Sequence, residues 1–365
     1  MDEAFMGIGV YIHIPFCKSR CKYCDFYSTT LLPLRHQYAQ AVVEEWKTRV
    51  REALDMRTVY FGGGTPSQLA DEDIELILDA IKHSALSTIE EITLEANPGD
   101  LTVDRLKALK SIGINRLSIG IQSFDDNMLQ RLGRRHTAKQ AKAVVKDAQD
   151  AGFDNISIDL MYGLPRQTLN NWQQQIDEAL KLKVQHISAY CLSYEENTPF
   201  GKMLSKGELT EIDEDTENEM ADILSAKLKA NGYIHYEVSN FALPNKESKH
   251  NSSYWNAIPY IGLGAGAHSF DGQRRSWNIN DVKAYIQNAL AHSLQPESET
   301  LTNEEKHTEK IMLGLRTNIG VPKNEADVKT VDDYINRGLL IEINGNIVAT
   351  QQGLHILNRI IEDLI

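Results

Sequence analysis

Residues 9–24 read GVYIHIPFCKSRCKYC, an apolar, β-branched run followed at once by three cysteines, Cys17, Cys21 and Cys24, in a C-x3-C-x2-C pattern. The run predicts a first strand, and the cysteines predict a metal loop at its end. Three thiolates hold only three irons of a [4Fe-4S] cube. Ordinary four-cysteine clusters leave no iron free, so this spacing predicts a cluster whose fourth iron is open to a ligand that is not protein. The structural alternative is a Cys3His zinc knuckle with His13 as the fourth ligand.

Working outward, the 365-residue chain is long enough for two domains, and 42% hydrophobic composition can fill ordinary cores. A formal net charge of −13 and the lack of a basic tract argue against the phosphate backbone of a nucleic acid as partner. The first residues, MDEAFMGIGV, are acidic where a signal peptide is basic. No apolar stretch approaches the roughly 18 residues that span a bilayer. The expectation is a cytoplasmic protein, in a compartment that keeps thiols reduced for metal. The fourth cysteine, Cys191 in HISAYCLSY, reads as a buried small hydrophobe.

From residue 9 to about 193, six strand-like runs alternate with amphipathic helical stretches: GVYIHIPF, TVYFGGG, EITLEAN, RLSIGIQS, ISIDLMYG and HISAYCLSY. Near-continuous apolar strands separated by helices predict a parallel sheet covered on its outer face. Eight such units usually need about 250 residues, so six predict an open, partial (β/α)6 barrel of the α/β class. The acidic stretch ELTEIDEDTENE (208–219) reads as the solvated start of a helix ending near Asn231-Gly232. Beyond it the chain changes character, which places a first domain at 1–232 and a smaller α+β domain at 233–365. The latter ends in a helix, a hairpin turning at Asn344-Gly345 and a last helix, a winged-helix-like unit.

In parallel β/α folds, chemistry sits at the C-terminal ends of strands. Those ends here carry the cysteine loop, Gly62-Gly63-Gly64-Thr65-Pro66, Glu95, Gln122 and Asp159. A carboxylate in a covered strand is costly unless paired, so Glu95 and Asp159 are expected to face a cavity. The triple glycine lacks the spacing of a nucleotide loop. At this position it predicts a backbone offering the N–H groups of Gly63, Gly64 and Thr65 to a zwitterion held on the neighbouring cluster. Arg134 in GRRHT is a fork-shaped donor for a carboxylate, and Arg135 is its equal by chemistry.

YIHIPFCKSRCKYCDFYS, VYFGGGTPSQL, LEANP, RLSIGIQSFDDNMLQRLGRRHT and ISIDLMYGLPRQT together resemble the radical S-adenosylmethionine (SAM) superfamily. The resemblance is to its branch of oxygen-independent coproporphyrinogen III dehydrogenases (HemN) and haem chaperones (HemW), and it spans nearly the whole chain. It implies a [4Fe-4S] cluster on Cys17, Cys21 and Cys24, with SAM across the strand ends. It places Tyr11, Tyr23, Gly63, Gly64, Thr65, Glu95, Gln122, Arg134 and Asp159 on SAM-contacting positions. In the dehydrogenases, Thr65, Gln122 and Arg134 correspond to contacts with a second SAM.

Three departures point to the chaperone side of that branch. Phe26 stands where the dehydrogenases have a further cysteine, only ten residues precede Tyr11, and HNSSYW (His250, Asn251, Tyr254, Trp255) matches the HNxxYW pattern of the haem chaperones. A neutral imidazole or a Tyr phenolate can ligate haem iron, and a flat Trp can lie against a porphyrin. The structural alternative is a turn in which Asn251 and Ser252 bond the backbone while Tyr254 and Trp255 pack at a domain interface. His268 in GLGAGAHSF is a second candidate for iron. The expected function is to bind haem and pass it to acceptor haem proteins, including membrane-bound respiratory ones that bring the chain to a membrane only through a partner. The alternative is oxidative decarboxylation of coproporphyrinogen III by a SAM-derived radical.

Overall fold

A computed structural model describes residues 7–365; the acidic start, residues 1–6, lies outside the described residues. Six parallel strands lie side by side in chain order: β1 (Ile8–Ile14), β2 (Met56–Gly63), β3 (Glu91–Ala96), β4 (Arg116–Gln122), β5 (Ile156–Tyr162) and β6 (His186–Cys191). Between them run α1 (Arg35–Arg49), α2 (Asp71–Lys82), α3 (Val103–Ile112), α4 (Asp126–Leu132), α5 (Ala138–Asp150) and α6 (Leu169–Lys181). The helices stop where the sequence indicates. Gly113 and Gly152 sit at φ +112° and +87°, the left-handed turn that ends a helix and that only glycine adopts without strain.

The strands are not the near-continuous apolar runs expected of them. They alternate. Val10, Ile12 and Ile14, Val59 and Phe61, Ile92 and Leu94, Leu117 and Ile119, and Ile156 and Ile158 are buried in one core with the apolar faces of the helices. The opposite face carries Tyr11 and His13, Thr58 and Tyr60, Glu91, Thr93 and Glu95, Arg116 and Ser118, Ser157 and Asp159, and His186 and Ser188. Successive side chains of a strand point to opposite faces, so the sheet has an oily side for the helices and a polar side for something else.

After β6 come α7 (Pro199–Ser205) and α8 (Glu214–Ala230), the latter capped by Asp213 and closed at Asn231-Gly232 as the acidic stretch implied. Where the sequence divides at residue 232, the sheet continues. β7 (Ile234–Glu237) and β8 (Asn240–Ala242) form a hairpin that pairs antiparallel with β6. The chain then crosses to the other edge through α9 (Lys249–Trp255), and β9 (Tyr260–Leu263) pairs parallel with β1. β10 (His268–Phe270), β11 (Arg274–Trp277) and β12 (Glu297–Thr300) complete a twelve-stranded sheet, with α10 (Val282–Leu290) packed on α1. The change of character at 232 marks a switch from parallel crossovers to antiparallel hairpins.

A second hydrophobic core belongs to the C-terminal end. It is built on α11 (Asn303–Gly314), β13 (Val321–Pro322), α12 (Val328–Asn336), β14 (Leu340–Ile343), β15 (Asn346–Ala349), α13 (Gln351–His355) and α14 (Leu357–Leu364). The hairpin turns at Asn344 and Gly345, both at positive φ, as the Asn-Gly pair requires. The short strand β13, pairing with β15, has no signal in the sequence beyond one β-branched residue before a proline.

Candidate functional site

A cavity of about 650 Å³ opens at the C-terminal ends of β1–β6, and its wall collects residues from all six units. From the loop after β1 come Cys17, Cys21, Tyr23 and Cys24; from the end of β2, Gly63, Gly64 and Thr65; from β3, Glu95 and Asn97; from β4 and its loop, Ser118, Gln122, Arg134 and Arg135; from β5, Asp159 and Met161; from β6, Tyr190 and Cys191. Residues up to 174 positions apart meet there because parallel strands all deliver their ends to one side. The three cysteines are free thiols on one wall of this space. Thr65 Oγ1 lies 3.3 Å from Cys17 Sγ, and Arg134 Nη1 donates to Cys21 Sγ at 3.5 Å. Burial pushes the Cys17 and Cys24 thiols up. Only the thiolate is a metal ligand, so a metal bound here must displace those protons. His13, the fourth ligand of the zinc alternative, is buried with Nδ1 3.0 Å from the Tyr11 hydroxyl and Nε2 3.2 Å from the Tyr27 carbonyl. Neither nitrogen is free for a knuckle with the cysteines.

Glu95 is the most tightly determined polar group of the wall. Tyr60 donates its hydroxyl to Oε1 at 2.8 Å and the Gly63 N–H donates to Oε2 at 3.2 Å. Burial nevertheless pushes its carboxyl up from 4.5 to about 7, against the pull of the Tyr60 bond. Asp159, taking a bond from Ser118 at 3.3 Å, is raised in the same sense by burial. Gln122 holds a positive φ of 69° at a register break between β4 and β5, a strain of the kind found where a side chain is aimed at a ligand.

The triple glycine has a different reason from the one expected. Gly64 N–H is already given to the Ile14 carbonyl at 2.9 Å and Gly63 N–H to Glu95, so neither is offered to a ligand. The strand pairing simply runs further than the sequence implies. Space is what demands glycine. A Cβ on Gly64 would lie 2.8 Å from the Pro15 carbonyl carbon and 3.1 Å from Cys17 Sγ, and one on Gly63 would meet the His13 ring at 2.6 Å. Arg134 and Arg135, equals by sequence, separate in the structure: Arg134 reaches the Cys21 thiol, while Arg135 pairs with the buried Asp100 at 3.2 Å. Cys191 is a correction. Instead of sitting in the core, it is exposed at the end of β6 on the cavity wall, with its thiol beside Glu217 of α8.

Tyr11 does not line the cavity. Its ring stacks on Tyr60 at 6.2 Å, one layer beneath. HNSSYW lies further still, at the opposite ends of the strands, and is a two-turn helix, α9, rather than a turn. Glu91, at the start of β3, accepts the N–H groups of Lys249 and His250 at 3.1 and 3.0 Å, a carboxylate on a positive helix end. His250 is 0% exposed. Its Nδ1 is 2.8 Å from Thr58 Oγ1 and its Nε2 2.8 Å from the Tyr254 hydroxyl, and its ring stacks on Tyr60 at 5.0 Å. Burial and then Arg116 hold the imidazole neutral, its pKa lowered to about 3. The expectation that His250 presents itself to haem iron is therefore not met in this conformation: no ring nitrogen is open. Asn251, Tyr254 and Trp255 are half-buried around it, and His268 stands exposed on β10, stacked on Trp277 at 5.7 Å. The sequence reading missed Tyr60, Glu91 and Ser118; the alternation of polar residues within the strands was the available signal.

Comparison with known proteins fits this arrangement. The family model described as Radical SAM superfamily matches residues 11–179. The heme chaperone HemW of Bacillus subtilis (strain 168) is 38% identical over 94% of this chain and 96% of its own length. That of Escherichia coli (strain K12) is 33% identical over 97% of each chain. The solved structure of E. coli coproporphyrinogen III oxidase (HemN), 21% identical, superposes with a TM-score of 0.83 over 98% of this chain and 90% of that one, which establishes a shared fold. With its strand-end cavity, its three cysteines and near-full-length identity to those chaperones, the chain belongs to the radical SAM superfamily and, within it, to the HemW haem chaperone family.

Proposed function

We propose that this chain binds haem and delivers it to acceptor haem proteins; its relatives are named heme chaperones. The observation that carries this reading is 33–38% identity to HemW chaperones over nearly the whole length. The six parallel strands serve as an open (β/α)6 barrel whose polar face is the interior, and the stretch from α11 to the last helix as a winged-helix-like appendage. Membrane-bound respiratory haem proteins are among the acceptors proposed; among the described residues, no helix is long and apolar enough to cross a bilayer.

Cys17, Cys21 and Cys24 suit a [4Fe-4S] cluster, and the same cavity suits SAM, with Glu95 and Asp159 for its positive groups and Arg134 for its carboxylate. Cluster and SAM together supply reductive radical chemistry in this superfamily. The residues themselves fix the carboxylate of Glu95 through Tyr60 and Gly63, and place a cation beside a cysteine that would hold the cluster. Haem is the cargo. For His250 to ligate its iron, the imidazole must give up the hydroxyl of Tyr254 or of Thr58, so loading requires α9 to loosen from the barrel floor.

Haemin titration of the full chain tests the reading: a saturable, stoichiometric Soret shift is expected, and its absence refutes it. Anaerobic incubation of cluster-loaded protein with SAM, reductant and coproporphyrinogen III is expected to yield no protoporphyrinogen over many turnovers. Sustained turnover establishes the dehydrogenase instead.

A further inference from the structure

The two ends of the barrel interior are wired together by one short column of side chains. β3 carries Glu91 to the N-terminus of α9 and Glu95 to the cavity wall, four residues and about 13 Å apart. β2 runs beside it with Thr58 on His250 and Tyr60 on Glu95. Tyr60 is the common member. One face of its ring stacks on the His250 imidazole at 5.0 Å and 22°, and among the described residues its hydroxyl is the only side-chain donor to Glu95. Nothing in this column is loose: His250 is 0% and Tyr60 7% exposed.

We infer that haem taken by His250 and SAM held at Glu95 weaken each other, with Tyr60 as the positioning residue that couples them. The inference rests on the reading above, that His250 is the haem ligand and Glu95 a SAM contact. An imidazole nitrogen makes one bond at a time, and both of His250 are engaged. Reaching iron therefore moves the ring out of the stack. Tyr60 then keeps Tyr11 stacked at 6.2 Å but loses the closer of its two ring contacts, and the hydroxyl it holds on Glu95 is less firmly oriented. Burial already raises the Glu95 carboxyl to about 7 against the pull of the Tyr60 bond, so without that bond the neutral acid is favoured further, and a neutral carboxyl is a poorer partner for a cationic ligand. Coupling free energies are reciprocal, so SAM, by fixing Glu95 and Tyr60, holds His250 in the floor and favours haem leaving. This gives the cavity a use that needs no radical: SAM occupancy as the signal for haem release.

The test is SAM affinity of the cluster-reconstituted full chain, by equilibrium dialysis, with and without stoichiometric haemin, and haemin affinity with and without saturating SAM. The expectation is about tenfold weaker binding in each direction, within the usual range of such couplings. Tyr60→Phe keeps the stacked ring but removes the hydroxyl; its SAM affinity falls and no longer depends on haemin. Equal SAM affinity with and without haemin in the wild-type chain, tighter binding with it, or a dependence that survives Tyr60→Phe overturns the inference. His250→Ala titrated with haemin alone separates the two readings. If its haem affinity drops while wild-type SAM affinity ignores haemin, the ligand assignment stands and the coupling falls. If its haem affinity is unchanged, His250 is not the ligand and the coupling falls with it.

Discussion

Glu95→Gln makes this protein more stable at alkaline pH while costing it SAM affinity. Burial lifts the Glu95 carboxyl from 4.5 in the unfolded chain to about 7 in the folded one. A raised carboxyl pKa means the native state favours the protonated form. Stability from this group is thus fully present below about pH 4.5 and is lost as pH rises through 7. The displacement, at about 1.4 kcal/mol per tenfold, amounts to roughly 3 kcal/mol lost by about pH 8.5, and under 1 kcal/mol lost by about pH 5. Glutamine stays neutral throughout. Its carbonyl can accept from Tyr60 or from Gly63 but its amide cannot, so one bond, about 1 kcal/mol, is forfeited at every pH. The stability difference, variant minus wild type, therefore rises by about 2–3 kcal/mol between about pH 5 and pH 8.5, from slightly negative to positive. Urea denaturation of the reduced, iron-free full chain at the two pH values measures it, and dialysis with SAM on reconstituted protein measures the loss of affinity. A difference that stays constant between the two pH values refutes the assignment of Glu95 as a buried carboxyl held ready for a cation.

Other outcomes follow from the same geometry. Cys21→Ala is expected to abolish the cluster absorbance after anaerobic reconstitution, and wild-type protein prepared without oxygen should contain iron and sulfide; zinc in their place contradicts the cluster. Gly64→Ala drives a methyl against the Pro15 backbone and Cys17 Sγ. It should cost about 1–3 kcal/mol and lower iron per chain, and a wild-type iron content shows that the cysteine loop tolerates the shift. His250→Ala leaves the hydroxyls of Thr58 and Tyr254 without their partner. Haem affinity should fall at least tenfold and stability by about 2–4 kcal/mol, with cluster absorbance intact; loss of the cluster as well would show that α9 supports the cysteine loop rather than haem.

Much of the molecule is legible without coordinates. The six β/α units, the helix ends at Gly113 and Gly152, the helix closing at Asn231-Gly232 and the Asn344-Gly345 turn are all local: each depends on a few neighbouring residues and their spacing. The cysteine loop is legible for the same reason, as is Phe26 beside it. The rule that parallel strands deliver their C-terminal ends to one side then places Glu95, Gln122, Arg134 and Asp159 with the cysteines before any fold is seen.

What sequence cannot express is how a group's bonding capacity has been committed by residues far along the chain. Gly63 and Gly64 look like open donors until Glu95 and Ile14 are found to hold their N–H groups. Arg134 and Arg135 are indistinguishable until Asp100 takes one and Cys21 the other. Cys191 reads as core until the end of β6 places it on the cavity wall beside Glu217. His250 reads as an open imidazole until Thr58, from 192 residues earlier, and Tyr254 are found on its two nitrogens, so that a ligand must first displace one of them. Spacing along the chain determines which chemistry the residues are fit for. Which of them remain free to perform it is decided only by the tertiary structure, because burial removes the water that would otherwise satisfy each polar group and obliges it to find a partner within the protein.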